Sequence, residues 1–210
     1  MTVARAVRQK DYSDRPRIVR EPAWEIARLF PEQGSWTEEG YLALDSKRPV
    51  EYSDCCVEVL PSPTDSHQAI VAFLYSTLLA FIEKGKLGRV RFAALPLRLW
   101  PGKFREPDIL FLKSANDSKR TKRFWKGADL VMEVVSPSNR LHDLETKRFE
   151  YARAGISEYW IVDPQKSRIL VYTLKGAQYV EHGTFARGSK AKSVLLSGFA
   201  VDVASVLDAE

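Results

Sequence analysis

The sequence predicts an α/β domain with a mixed central β-sheet flanked by helices. Three observations carry this. Residues 108–112 and 130–135 are near-continuous apolar runs, which suits strands covered on both faces. Between residues 68 and 84, Ile70, Val71, Phe73, Leu74, Leu78, Phe81 and Ile82 recur at helical spacing. The segment 130–162 reads strand, helix, strand, long enough for the crossover that parallel neighbours need.

Taken in order, residues 1–20 are charged and aperiodic and read as a flexible tail or a basic arm. Pro22 suits the first turn of a short helix to Phe30. Thr37 then caps a helix whose first turn is acidic, Glu38 and Glu39. Residues 49–52 and 56–60 read as short strands around a tight Ser53-Asp54 turn. The prolines at 61 and 63 end the second strand, and Thr64, Asp65 or Ser66 caps the long core helix. Gly85 and Gly88 follow that helix. Residues 89–100 read as one extended segment, and Pro101-Gly102 as a turn into a strand over 105–112. A basic loop spans 113–126. After 130–135, Pro137-Ser138-Asn139 breaks the strand and caps a helix to about Arg153, with Gly155 as its C′ residue. Residues 157–162 form a further buried strand, 168–172 and 178–181 a hairpin across Lys175-Gly176, and 201–207 a short helix. The expected organisation is an N-terminal extension over 1–34, partly flexible, and a single domain over 35–210.

Composition bounds function only loosely. The 210 residues are 45% hydrophobic and 28% charged, ordinary for a globular chain. A net charge of +5 is compatible with nucleic acid without identifying it. The adjacent cysteines 55 and 56 cannot frame a disulfide scaffold and are expected to be reduced and buried. No run of roughly 18 apolar residues suggests a bilayer span, and no apolar segment follows the N-terminal charges as in a secretory signal. A cytoplasmic protein without membrane contact is expected.

Chemistry concentrates between 105 and 164. Asp108 opens one apolar strand and Glu133 lies inside another; if the strands are neighbours, the two carboxylates converge. Glu133 is hard to explain as a bystander, since buried carboxylates are rare unless paired or metal-bound. Asp108 has plainer readings as a strand cap or as a partner of Arg105. Lys147, on the following helix, shares a face with Asp143 and Tyr151; it reads either as a site residue or as a solvated partner of Asp143. Such a group can hold Mg²⁺, which takes one or two carboxylates, water and substrate phosphate. In the loop, Lys119, Arg120, Lys122 and Arg123 can contact a nucleic-acid backbone, and Phe124 and Trp125 raise the chance of a binding or dimer surface. His67 reads as a structural residue or a supporting site residue. His142 and His182 carry no signal.

The ordered combination of Glu106-Pro107-Asp108, Asp129 through Ser138 with Glu133 inside it, Asp143, Lys147, Tyr151 through Ile156, and Glu158 through Pro164 resembles the Uma-two family of restriction endonucleases. Upstream, Pro49 through Asp54, Ser62-Pro63 and His67-Gln68 also look like that family. The resemblance implies a restriction-endonuclease-like fold of the PD-(D/E)xK superfamily and a Mg²⁺-dependent DNA endonuclease, with Mn²⁺ as a possible substitute. It implies that Asp108 and Glu133 are the metal carboxylates, the Val134 carbonyl a further ligand, and Glu51 an additional acid near the site. Val135 stands where the superfamily has its lysine, and Lys147 would supply that lysine from the helix. The supporting residues are His67, Asp143 and Tyr151, and a homodimer is expected if both strands are cut. The alternative is a catalytically silent nuclease-like module that binds nucleic acid or regulates.

Overall fold

The computed structural model describes residues 30–46, 48–136 and 140–210. The expected tail, the helix over 22–29 and the break at 137–139 lie outside them. Residues 33–210 pack as one unit. Its elements are α1 (Glu38–Ala43), β1 (Val50–Ser53), β2 (Cys56–Val59), α2 (Asp65–Gly85), β3 (Gly88–Phe92), β4 (Leu97–Trp100), β5 (Lys103–Arg105), β6 (Ile109–Lys113), β7 (Leu130–Val134), α3 (Lys147–Arg153), β8 (Glu158–Asp163), β9 (Arg168–Lys175), β10 (Gln178–Ala186), β11 (Lys190–Lys192), β12 (Ala200–Asp202) and α4 (Val203–Leu207).

A six-stranded mixed sheet runs β10-β9-β8-β7-β6-β3, with β7 and β8 parallel and the other pairs antiparallel. A four-stranded sheet runs β2-β1-β5-β4. The large sheet is covered on both faces, as its unbroken apolar runs require. Side-chain alternation sends Ile109, Phe111, Met132 and Val134 into one core with Leu74, Leu78 and Ile82 of α2. Leu110, Leu112, Val131 and Val135 go into the opposite core with Tyr151 of α3. Leu74 and Leu78 are fully buried; replacing either by alanine would cost about 2–5 kcal/mol. By length and composition α2 is apolar enough to cross a bilayer, contrary to the sequence reading, but its Ile70–Ile82 face packs on the sheet.

Several local readings need correction. The extended segment 89–100 is two strands in different sheets, because the chain turns out of the large sheet at 93–96. The strand expected over 105–112 is likewise broken at 106–108: β5 pairs with β4 across Pro101-Gly102, and β6 pairs with β3 and β7. Cys55 and Cys56 are exposed, because the β1–β2 turn holds them at an outer edge; Asp54 and Cys55 both have positive φ (49° and 64°), the geometry of a two-residue hairpin turn that follows right-handed strand twist. Trp125 is buried against Leu97 and serves the core rather than a binding or dimer surface; Phe124, half-buried, packs edge-on to Phe104.

Candidate active site

The junction between β7 and α3 is built by an irregular helix. Lys147 donates its N–H to the His142 carbonyl, closing a π turn over His142–Thr146. Such one-residue expansions are frequent at functional sites. The buried face that results is polar: Asp143, Lys147, Glu150 and Tyr151 all turn inward. A helix docked through such residues needs partners for them, and the sheet supplies them.

Lys147 Nζ lies 3.0 Å from Glu133 Oε1 on β7, 3.2 Å from Asp143 Oδ1 and 3.6 Å from Glu51 Oε1 on β1. Tyr151 donates its hydroxyl to Glu133 Oε1 at 2.6 Å. Glu51 also accepts from Arg105 Nη1 at 2.5 Å, and His142 Nε2 stands 3.7 Å from it. Arg105 in turn forks onto Glu150 through Nε and Nη2, at 2.7 and 2.9 Å. Lys103 closes the chain on Glu150 and Ser53, each at 2.7 Å. Arg105 thus pairs with Glu51 and Glu150, not with Asp108 as one of the plainer readings had it. The sequence reading missed Lys103, Arg105 and Glu150 as a group because their contacts span 45 residues or more. No local pattern signals such pairs.

Asp108 sits one residue before β6, and the Ile109↔Met132 pairing carries it opposite Glu133 on the face of Leu110 and Leu112. Its Oδ2 accepts from the Val134 N–H at 2.7 Å and stands 3.2 Å from His67 Nε2. His67 is therefore drawn to the carboxylates from the first turn of α2. Burial opposes its protonation, but the Asp108 hydrogen bond and charge outweigh burial and raise its pKa.

Two carboxylates touching the same lysine are driven in opposite directions. Burial pushes Glu133 up; Lys147 opposes, but the neighbouring Asp108 and Asp143 charges add, and its pKa rises to about 8. Burial also works against Glu51, yet Lys147, His142 and Arg105 together hold it well below the usual carboxylate range. Lys147 remains charged, since its carboxylates more than offset its burial. Environments that separate like groups in this way are typical of catalytic sites, and of structural ion networks too.

Structural carboxylates elsewhere provide the contrast. Glu158 is fully buried, and its oxygens take hydrogen bonds from Trp160, Ser193, Val194 and Leu195, pinning the 193–196 turn. Asp129 binds the Lys113 N–H and Asn116. Glu133 Oε2 and Asp108 Oδ1 accept no hydrogen bond among the described residues. Two carboxylates on adjacent strands are donors of the kind a hard cation takes. Among the described residues no three His, Cys, Asp or Glu side chains stand together in ligand geometry. That does not exclude Mg²⁺, which commonly takes one or two carboxylates and leaves the rest of its shell to water and phosphate.

The four basic residues of the loop are exposed or half-buried at the surface. Arg120 is tied to Asp117 at 2.6 Å. Arg123 instead lines a cleft that Glu106 also lines.

Family and fold both point to a nuclease-type protein. The chain belongs to the Uma2 family, described as "Putative restriction endonuclease", whose profile matches residues 38–204. Among solved structures it is similar to a protein from Anabaena variabilis described as a "putative nuclease belonging to DUF820", with 15% identity and a TM-score of 0.68 over 81% of this chain and 97% of that one. At that identity the likeness shows the fold alone. No curated protein matches the chain significantly.

Proposed function

We propose that the protein is a metal-dependent DNA endonuclease that hydrolyses phosphodiester bonds with Mg²⁺, Mn²⁺ being an acceptable substitute. The observation that supports this best is the grouping of Lys147 with Glu133, 3.0 Å apart, beside Asp108, whose Oδ2 takes the Val134 N–H on the same strand as Glu133. Asp108, Glu133 and the Val134 carbonyl would hold the cation. Bound there, it would polarise the scissile phosphate and lower the pKa of a coordinated water. Tyr151 and Lys147 both engage Glu133 Oε1 and so fix that side chain. Lys147, charged, orients the attacking water and faces the charge that develops on the phosphate. Glu51 steadies Lys147 from its other side, and Asp143 does so from one helical turn away. The loop residues Lys119, Arg120, Lys122 and Arg123 contact backbone phosphates. A homodimer would present one such site to each strand.

The test is purified protein with Mg²⁺ or Mn²⁺ on plasmid and single-stranded DNA, beside Asp108→Asn and Lys147→Ala. Cleavage by wild type that both variants lose supports the proposal. Equal cleavage by all three means a contaminant and sinks it. DNA binding with no cleavage at any metal concentration returns the silent binding module instead.

A further inference from the structure

The members of the carboxylate cluster are nearly sealed: Glu51, Glu133, Asp143 and Lys147 are all at most 5% exposed. Next to the cluster lies a cleft of about 280 Å³. Leu42, Leu44 and Pro96 form apolar walls, Glu106 lines it, and Arg48 and Arg123 stand exposed at its edges. Cleft and cluster share a wall. Glu106 accepts from the Val50 N–H at 3.3 Å and donates its own N–H to Glu51 Oε1 at 3.4 Å. Asp108 follows Glu106 by two residues. Whatever fills the cleft therefore lies beside the reacting centre.

Size and chemistry narrow the occupant. The cleft is concave, and its volume falls just below the range of small-ligand sites, roughly 300–1,000 Å³. Duplex is read the other way round, by protein elements that project into its grooves. A pocket of this scale suits one base out of its stack. The apolar walls suit a base face, and the two planar guanidiniums can stack on it or pair with the flanking phosphates. The Glu106 carboxylate can accept from an exocyclic amine, as acidic side chains do from cytosine.

We propose that this cleft receives a single unpaired nucleotide flanking the scissile phosphate, so that the preferred substrate is single-stranded or locally opened DNA rather than continuous duplex. The inference rests on the nuclease reading and specifies its substrate class. Its test is fluorescence anisotropy in Ca²⁺ with a dye-labelled single-stranded oligonucleotide and the matching duplex. Wild type is expected to bind the single strand at least tenfold more tightly. Arg48→Ala and Arg123→Ala, both exposed positions that leave the fold intact, should each weaken that binding about five- to tenfold. Arg123→Lys, which keeps charge but loses the stacking plane, should recover little of it. Lys192→Ala on β11, outside the cleft, controls for overall charge and should change nothing.

Equal or tighter duplex binding, or full recovery with Arg123→Lys, would overturn the cleft proposal whatever the cleavage assay shows. Single-strand preference that depends on Arg48 and Arg123 but comes without cleavage would support the cleft and overturn the nuclease reading.

Discussion

Lys147, on a helix, and Glu133, on the adjacent strand, meet at 3.0 Å with both side chains nearly sealed from water. Lys147 also stands 3.6 Å from Glu51 and 3.2 Å from Asp143, so removing it leaves buried carboxylates uncompensated, a loss of about 3–5 kcal/mol. Lys147→Ala is therefore expected to destabilise by that amount in chemical denaturation, and to reduce turnover about 10²–10⁴-fold. The double variant Lys147→Met, Glu133→Gln still leaves Glu51 and Asp143 without the lysine and should regain little of the stability and none of the turnover. A Lys147→Ala protein with wild-type stability would mean that Glu133 is compensated elsewhere.

Arg105 joins Glu51 on one side to Glu150 on the other, with a two-nitrogen fork on the latter. A lysine can replace the charge but not the fork. Arg105→Ala should cost about 3–5 kcal/mol in urea denaturation, and Arg105→Lys should fall between it and wild type. Identical midpoints for wild type and Arg105→Lys would show that charge alone matters here.

Asp163 predicts a pH dependence away from the site. Burial pushes its carboxyl up, but hydrogen bonds and charge from Arg140, with Arg168 adding, outweigh burial and hold its pKa below the usual value. A depressed pKa contributes stability that is present above the unfolded carboxylate's value, about 3.9, and that is lost as pH falls through the folded value. Asp163→Asn should therefore lower the melting temperature at pH 7, and the gap to wild type should narrow below about pH 4. A gap that stays constant through the acid range would refute the linkage.

Gly88 begins β3 opposite Lys113, and a Cβ there would come within 2.0 Å of the Leu112 carbonyl oxygen. Backbone in a ladder cannot move aside as a side chain can. Gly88→Ala should cost at least about 1–3 kcal/mol, measured by thermal melting. A neutral result would mean that β3 shifts at the sheet edge.

How far the sequence reveals this structure differs between its parts. The face of α2, the Thr37 cap and the β7–β8 crossover follow from periodicity and local hydrogen bonding, both visible in consecutive residues. That Asp108 and Glu133 share a neighbourhood follows from two apolar strands that each carry an acid. The breaks at 93–96 and 106–108 were not legible, because an apolar run records that a strand is covered and not which sheet covers it. Nor was the Lys103–Glu150–Arg105–Glu51 chain. Charges on α3 follow the pattern of a solvated helix face, and only the opposing strands show that the face is buried. His142 had no pattern of its own until the π turn brought it to Glu51.

That inward-facing row on α3 has a consequence for how the protein can be observed. A helix seated on grease keeps its seat whatever the ionic state around it, whereas this one is seated largely on charge balance. Anything that redistributes charge among Glu51, Glu133 and Asp143 also loosens or tightens the seat. Amide exchange over residues 147–153 would then act as a built-in gauge of the charge state of those three carboxylates.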